Sequence, residues 1–228
     1  MNSWITDGLP IAMLPRLLLL GAGKLGVGAI ETFEELSRLA SMAESFEHGQ
    51  ERASWHVRCI GEMARELAAR AGMGTQYCLT IERAAMLHDI GKLLVAPSGS
   101  SGWFEADPAL KRMAGQHALR GSEFLSEMTG RTCEDARTLA MARDIALFHH
   151  EAWNGSGYPR GVEREAIPFS ARIVAIVDFF DTHSESEDLG GAKAVAALIA
   201  AAAGYYFDPE LVSHFLGGQH EFQALCAT

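Results

Sequence analysis

The chain has little of three things that mark whole classes of protein: paired cysteines, excess positive charge and long apolar runs. Its four cysteines, at positions 59, 78, 133 and 226, lack paired spacing, which argues against a disulfide framework and a zinc ribbon. We therefore expect a reducing, cytoplasmic setting. A formal net charge of −10 argues against a sequence-independent grip on DNA and against an anchor for anionic membranes, since both need clustered lysine and arginine.

The most apolar stretch, residues 9–30, is a poor membrane span because Pro15, Arg16, Lys24 and several glycines interrupt it. A signal peptide is not expected either, because a basic residue lies inside the run and no cleavage site follows. Residues 17–26 contain a glycine turn of the dinucleotide-binding type. That pattern needs a second strand about 20 residues on, but residues 31–47 predict a helix, so we favour a flexible or packing segment.

Strand signals are also scarce, and apolar residues recur at helical spacing almost throughout the chain. One stripe contains Ile60, Met63, Leu67 and the preceding His56. The spacing predicts further helices over residues 31–47, 75–94, 108–128, 133–151, 169–183, 192–203 and 209–216. Polar, glycine-rich linkers are expected at 97–102 and 153–168. An all-α bundle follows, with the main domain at 46–228.

The role of residues 1–45 is open from the sequence. They form an N-terminal helical or flexible segment that could be a dimerisation helix, a remnant of a regulatory domain or a lid. We expect a homodimer through the helix at 31–47, or a signalling protein as partner.

Several predicted helices carry an imidazole or a carboxylate on the apolar face. His88, for example, falls on the same helical face as Ile81, Ala84 and Ala85. A lone buried histidine is more often an ordinary core residue, but several helices that each bury such a group predict a shared purpose. The residues concerned are His56, His88, Asp89, His117, His149, His150 and Asp178. A divalent metal is the simplest partner for imidazoles and carboxylates together.

The order of these residues resembles the HD-GYP family, a branch of the HD metal-dependent phosphohydrolases. The resemblance rests on His56, the HDIGK motif at 88–92, His117, the His-His-Glu motif at 149–151, the Asn-Gly-Ser-Gly-Tyr-Pro-Arg-Gly loop at 154–161 and Asp178. It covers roughly residues 45–217. It implies an HD-domain helical bundle with extra C-terminal helices and a Gly-Tyr-Pro loop, and a bacterial signalling enzyme that hydrolyses cyclic di-GMP with a metal-bridging hydroxide.

The resemblance also implies a metal site with two ions. His56, His88, Asp89 and Asp178 would hold one metal, and Asp89 would bridge to a second that is held by His117, His149 and His150. Iron or manganese is expected, with magnesium, nickel or zinc as alternatives. Asp89 and Lys92 are the expected catalytic residues, because Lys92 would neutralise a phosphate oxygen beside the metals. The alternative for Lys92 is a solvated lysine at a helix end.

The glycine-rich loop is the expected substrate entrance. Its glycines would let backbone amides approach an anionic ligand closely. The alternative is a rigid connection between helices, with Trp153 and Tyr158 in simple packing. The expected substrate contacts are Lys92, Asn154, Gly155, Gly157, Tyr158, Pro159 and Arg160.

Three departures from the family pattern limit the resemblance. Arg52 stands where members with a third metal have glutamate, so we predict two metals. Asn154 replaces the usual aspartate, which changes how the loop is tied down. Residues 182–191 are acidic where the family has an Arg/Lys clamp, which should repel a dianionic substrate. The open alternatives are a catalytically silent metal-containing module that binds a nucleotide or protein, or an enzyme for a mixed cyclic dinucleotide or simpler phosphate ester.

Overall fold

The computed structural model describes residues 33–48, 50–95, 116–128, 133–184 and 190–226. Within these ranges there is no strand, only an isolated bridge between Ala203 and Phe207, and the all-α prediction is confirmed. The helices are α1 (Phe33–His48), α2 (Gln50–Arg70), α3 (Thr75–Ala85), α4 (Lys92–Val95), α5 (His117–Ser126), α6 (Cys133–Phe148), α7 (Phe169–Ser184), α8 (Ala192–Ala201), α9 (Pro209–Leu216) and α10 (Gln219–Cys226). A 3₁₀ turn, Arg164–Ala166, precedes α7.

Helix bounds agree best with the prediction where apolar periodicity is uninterrupted. α9 has the predicted bounds, and α1, α7 and α8 differ from theirs by one or two residues. α10 was not predicted. The predicted glycine turn at 17–26, the linker at 97–102 and the helical residues 108–115 lie outside the described residues.

Two predicted helices are too long. The helix predicted over 75–94 ends at Ala85, and the one predicted over 133–151 ends at Phe148. In both places a histidine side chain binds carbonyl groups at the end of the helix: Nδ1 of His88 donates to the carbonyl of Ala85, and Nδ1 of His149 donates to those of Ile145 and Ala146. The motif histidines therefore lie in turns just after a helix, and not on the helical face that the periodicity indicated.

α2 is the central helix of the bundle. It packs against α1, α3 and α7, and it also meets α9 and α10. Its side chains Ile60, Met63 and Leu67 are fully buried, as their helical spacing predicts. Burial of such side chains is the main favourable term in folding, at about 1.5–3 kcal/mol for each large apolar group. His56 lies on the same buried face, so packing of α2 carries it into the interior.

The N-terminal helix α1 belongs to the same core. Leu36, Ala40 and Ala43 are buried in it, and α1 packs along α2. A domain boundary between residues 45 and 46 would fall inside this helix. The apolar face of α1 is covered by the chain itself, so a homodimer through α1 would have to use another face.

The turn between α3 and α4 is pressed against the start of α5. A side chain at Gly91 would place its Cβ 2.0 Å from the carbonyl oxygen of His117 and 2.5 Å from the amide nitrogen of Gly121. Only glycine fits this approach. Gly121 meets the same backbone from the other side, since a Cβ there would lie 3.1 Å from the amide nitrogen of Gly91. Among the described helices, none combines the length and apolar character that a membrane span requires.

Candidate metal centre and its flanking loop

Asp89 lies between two groups of metal-ligating side chains. One carboxylate oxygen, Oδ2, is 3.2 Å from Nε2 of His88. The other, Oδ1, is 2.9 Å from Nε2 of His117 and 3.4 Å from Nε2 of His149. The two oxygens of one carboxylate therefore face different groups of imidazoles, which is the arrangement a bridging ligand needs.

The first group consists of Asp89, His117, His149 and His150, and each offers one donor atom within 4.8 Å of all the others. His117 is the first residue of α5, while His149 and His150 follow the end of α6. Nε2 of His117 lies 3.1 Å from Nε2 of His150 and 3.5 Å from Nε2 of His149. Three imidazole nitrogens converge here, and nitrogen donors of this kind suit a shared divalent metal.

The second group lies on the other side of Asp89. Glu44, His56 and His88 also place one donor atom each within 4.8 Å of the others. Asp178, on α7, joins them, since its Oδ1 is 3.7 Å from Nε2 of His56 and 3.6 Å from Nε2 of His88. Four separate segments of the chain thus supply the residues of this group and its bridge: α1, α2, the turn that contains His88 and Asp89, and α7.

Three of the imidazoles are oriented by a bond on the outer side of the ring. Nδ1 of His88 donates to the carbonyl of Ala85 at 3.0 Å, and Nδ1 of His149 donates to that of Ile145 at 3.0 Å. Nδ1 of His56 lies 2.5 Å from Oδ2 of Asp181. A proton on Nδ1 leaves the lone pair on Nε2, which points inward. This is the usual arrangement of metal-ligating histidines.

The pKa values of Asp89 and Asp178 are lowered, whereas that of Glu44 is raised. Burial disfavours their charge, but Lys92 and His88 hold the pKa of Asp89 well below its usual range, and His88 likewise lowers the pKa of Asp178. For Glu44 burial outweighs the attraction of Lys92 and raises the pKa to about 7. The interior at Glu44 is therefore short of positive charge.

The pKa values of His88 and His56 are shifted in the opposite direction from those of His149 and His150. Burial opposes the protonation of His88, but Asp89 and Asp178 outweigh it and raise the pKa of His88 well above its ordinary value. Burial is likewise outweighed at His56, where the bond to Asp181 raises the pKa. The carboxylates around His88 and His56 therefore favour a positive charge at this position.

Two imidazoles of the first group, those of His149 and His150, favour the neutral form. Burial lowers the pKa of His149, and burial with the neighbouring rings of His149 and His117 holds the pKa of His150 well below its ordinary value. Neutral imidazole is the form that binds metals. These residues are therefore ready to coordinate near neutral pH without losing a proton.

The donor atoms fit divalent metals. Nε2 of His88 and Oδ1 of Asp89 are buried, and neither makes a well-formed hydrogen bond with a described residue. A buried polar atom without such a bond is costly, and a metal ion removes the cost. The combination of imidazole nitrogens and carboxylate oxygens suits first-row divalent ions.

Lys92 is not a solvated lysine at a helix end. Its side chain is buried, and Nζ lies 2.6 Å from Oδ2 of Asp89 and 3.3 and 3.4 Å from the two oxygens of Glu44. The ammonium group is therefore held at the edge of the candidate metal site by two carboxylates. Its direct contact with a phosphate remains a prediction.

The Gly-Tyr-Pro loop is tied to the end of α6 by Glu151. Oε1 of Glu151 accepts hydrogen bonds from the backbone amides of Arg160, at 2.6 Å, and Gly161, at 3.1 Å. A Cβ at Gly157 would lie 2.2 Å from the amide nitrogen of Ala152 and 2.5 Å from the carbonyl oxygen of His150. Close packing of the loop on the His-His-Glu backbone therefore accounts for Gly157, and two of the loop amides bind a carboxylate of this chain.

Tyr158 connects this loop to the candidate metal site. Its ring stacks on that of His150, with centroids 4.9 Å apart, yet 40% of the residue is exposed. The side chain of Asn154 turns back on its own loop, where Oδ1 accepts from the amide and hydroxyl of Ser156. An aspartate could accept the same bonds, so its replacement by Asn154 preserves this contact. Arg160 is exposed.

The structure brings all seven predicted metal ligands and Lys92 together. Of the predicted substrate residues in the loop, Tyr158 contacts the predicted metal ligand His150. Gly155, Gly157, Pro159 and Arg160 lie near Tyr158 along the loop. Their roles stay predictions.

Sequence reasoning assigned no role to Glu44, Asp181 or Glu151. Asp181 could have been found, because it lies three residues after Asp178 on one helix face. Nothing in the sequence marks Glu44.

Comparison with known proteins supports this picture. A family model described as "HD domain" matches residues 34–211. The cyclic di-GMP phosphodiesterase response regulator RpfG of Xanthomonas campestris is 33% identical over 196 residues, covering 85% of this chain and 50% of that protein. The 3'3'-cGAMP-specific phosphodiesterase 2 of Vibrio cholerae is 29% identical over 201 residues, covering 87% of this chain and 37% of that protein. The chain thus spans half or less of the length of these relatives.

Solved structures show the same fold at low identity. A cyclic GMP-AMP-specific phosphodiesterase from V. cholerae has a TM-score of 0.56 at 20% identity, with 85% of this chain and 53% of that chain covered. An HDG"Y"P protein from Bdellovibrio bacteriovorus has a TM-score of 0.55 at 14% identity, with 94% and 73% covered. The match over residues 34–211 shows that the chain belongs to the HD domain family, and its HD and Gly-Tyr-Pro motifs place it in the HD-GYP branch.

Proposed function

We propose that the chain is a metal-dependent phosphodiesterase that hydrolyses a cyclic dinucleotide, with cyclic di-GMP as the first candidate. The observation that carries the proposal is the position of Asp89, whose two carboxylate oxygens face separate groups of buried imidazoles. The seven ligands His56, His88, Asp89, His117, His149, His150 and Asp178 would hold two divalent ions, iron or manganese. We propose the cytoplasm as its setting, in line with the cysteine pattern.

Ions held there would supply Lewis acidity toward the phosphoryl oxygens and toward the attacking water. Asp89 would keep the two ions adjacent. Lys92, already buried beside Asp89, would add positive charge where the phosphate develops negative charge during attack. The outer bonds of His56, His88 and His149 keep the ligand nitrogens directed inward, so the site needs little rearrangement to bind.

The exposed ring of Tyr158 is the proposed contact for a nucleobase. It stacks on His150 at the edge of the ligand group, so a base in contact with Tyr158 would bring the neighbouring phosphate toward the imidazoles. One matching relative is named as a cyclic di-GMP phosphodiesterase and another as a 3'3'-cGAMP-specific phosphodiesterase. The two substrates differ in one base, so the loop is where discrimination would arise.

The test is hydrolysis by protein of known metal content. The protein is loaded with Mn²⁺, or with Fe²⁺ without oxygen, and incubated separately with cyclic di-GMP and 3'3'-cGAMP, and products are separated by chromatography. We expect linear dinucleotide or mononucleotide products from at least one substrate, and none from Asp89→Ala. A protein that carries its metals and turns over neither substrate contradicts the proposal.

A second candidate is a metal-containing module that binds a nucleotide or a protein partner without hydrolysis. It is favoured by Lys92, whose ammonium is shared between Glu44 and Asp89, and by the acidic residues at 182–191. Calorimetry separates the two functions. Binding of a cyclic dinucleotide without turnover supports the module, and turnover that depends on Asp89 excludes it.

A further inference from the structure

We infer that Glu44, on the N-terminal helix α1, is a ligand of the metal held by His56 and His88. The inference rests on the metal centre of the proposed function and does not depend on its substrate. It adds a ligand from a helix that carries none of the recognised motifs. Helix α1 would then contribute directly to metal binding.

The first support is position. The side chain of Glu44 is 1% exposed, and its Oε2 lies 4.0 Å from Nε2 of His56. One donor atom each from Glu44, His56 and His88 lie within 4.8 Å of one another, close enough for one ion to reach all three after small movements. Glu44 approaches from α1, while Asp89 and Asp178 approach from other elements.

The second support is the state of the neighbouring imidazoles. Nδ1 of His56 is engaged by Asp181 and Nδ1 of His88 by the carbonyl of Ala85, so both Nε2 atoms face inward. Nε2 of His88 is buried and makes no well-formed hydrogen bond with a described residue. Glu44 therefore faces two nitrogen atoms whose geometry is already that of ligands, and a buried carboxylate at this place needs a cation.

Lys92 also offers Glu44 a positive charge, so a competing explanation is that Glu44 only positions this lysine. Its Nζ lies 3.3 and 3.4 Å from the two oxygens of Glu44, so Glu44 could serve only to hold the lysine. However, Nζ is closer to Asp89, at 2.6 Å. A carboxylate has two oxygens, so Glu44 can turn one toward a metal and keep the other near Lys92.

Position 52 explains why a ligand from another helix would be used. Arg52 lies one turn before His56 on α2, where a carboxylate would be well placed to share a metal with that histidine. An arginine cannot ligate. α1 packs along α2 and brings Glu44 to the same end of the imidazole. The negative charge that position 52 does not provide thus comes from Glu44 on the neighbouring helix.

The experiment measures metal binding without substrate. Wild-type protein, Glu44→Gln and the control Glu34→Gln are titrated with Mn²⁺ by calorimetry, and bound metal is counted by mass spectrometry. Glu34 lies on the same helix and its side chain is 76% exposed, so Glu34→Gln makes the same change of charge away from the site. We expect Glu44→Gln to lose one Mn²⁺ or bind it at least about 10-fold more weakly, since changes to mere outer partners already cost about that much.

A double-substitution cycle separates ligation from support of Lys92. If Glu44 is a ligand, Glu44→Gln weakens Mn²⁺ binding by the same factor in the wild-type and Lys92→Met backgrounds. Lys92→Met alone tightens Mn²⁺ binding, because it removes a competing cation. Equal Mn²⁺ binding by wild type and Glu44→Gln overturns the inference. So does an effect of Glu44→Gln that disappears once Lys92 is replaced.

Two further measurements keep the test decisive. The absorption spectrum of bound Co²⁺ should change in Glu44→Gln and stay unchanged in Glu34→Gln, because it reports the ligand set directly. If Glu44→Gln does not fold, Glu44→Asp keeps the charge and withdraws the oxygens. Its Co²⁺ spectrum and Mn²⁺ affinity should then differ from wild type, and identical values overturn the inference.

Discussion

Nζ of Lys92 lies 2.6 Å from Oδ2 of Asp89, inside the protein and beside the residues that converge on the candidate metal centre. The same carboxylate approaches His117 through its other oxygen, at 2.9 Å. Asp89 thus links a lysine to both groups of imidazoles. Changes at this pair should affect catalysis and metal binding in different ways.

Replacement of Lys92 by methionine should lower kcat by about 100-fold or more, because a positive charge next to the developing phosphate charge is lost. Metal content should not fall, since the lysine is no ligand. Steady-state kinetics on the Mn²⁺ protein, with metal counted in parallel, checks this. Lys193→Met, at an exposed position, is the control. A variant with normal kcat would contradict the role of Lys92.

Removal of the metals should destabilise the fold. Free ion at 100 times its Kd stabilises the native state by about 2.7 kcal/mol per site. For a chain of this size that corresponds to a rise in Tm of about 5–10 °C. Melting followed by circular dichroism, with chelated and reloaded protein, checks this. The Asp89→Ala protein should show little rise, and an equal rise would place the stabilising metal elsewhere.

Metal affinity should fall as pH is lowered. The pKa values of His56 and His88 are raised, so these rings hold protons at a higher pH than a free imidazole does. An arriving metal must displace those protons, and competition is strongest below the raised pKa values and disappears above them. Calorimetry in two buffers of different ionisation enthalpy should detect proton release near neutral pH.

The control for this pH dependence is His214→Gln, outside the site, which should leave proton release unchanged. Affinity that is equal at pH 6 and pH 8 would show that His56 and His88 do not coordinate.

Replacement of Glu151 by glutamine should loosen the Gly-Tyr-Pro loop. The bonds to the amides of Arg160 and Gly161 would lose their charge assistance, which is about half of their strength. Hydrogen exchange at these two amides should accelerate, and KM should rise while metal content stays the same. Glu165→Gln, at an exposed position before α7, is the matched control. Unchanged exchange would mean that other contacts hold the loop.

The motif residues of the candidate centre were predictable because each has a local signature. His56 lies on an apolar stripe, His88 and Asp89 form an adjacent pair, and His149 and His150 end a helical run. The inward orientation of His56 follows from burial of its stripe, whereas the rings of His88 and His149 are oriented in turns that follow the helices. The ends of α3 and α6 were not predictable from periodicity, because Nδ1 of His88 binds the carbonyl of Ala85 and Nδ1 of His149 binds that of Ala146. These carbonyls would have accepted the next backbone amides of a continuing helix.

The amino-acid sequence by itself determined that this chain is a helical bundle with buried imidazoles and carboxylates in the HD-GYP order, since periodicity and motif spacing are local properties. Only the tertiary structure decided that Glu44 reaches His56 from another helix, that Asp181 orients the same ring and that Glu151 ties down the loop. These contacts depend on how helices pack. No spacing within one segment encodes where a side chain from another segment will lie.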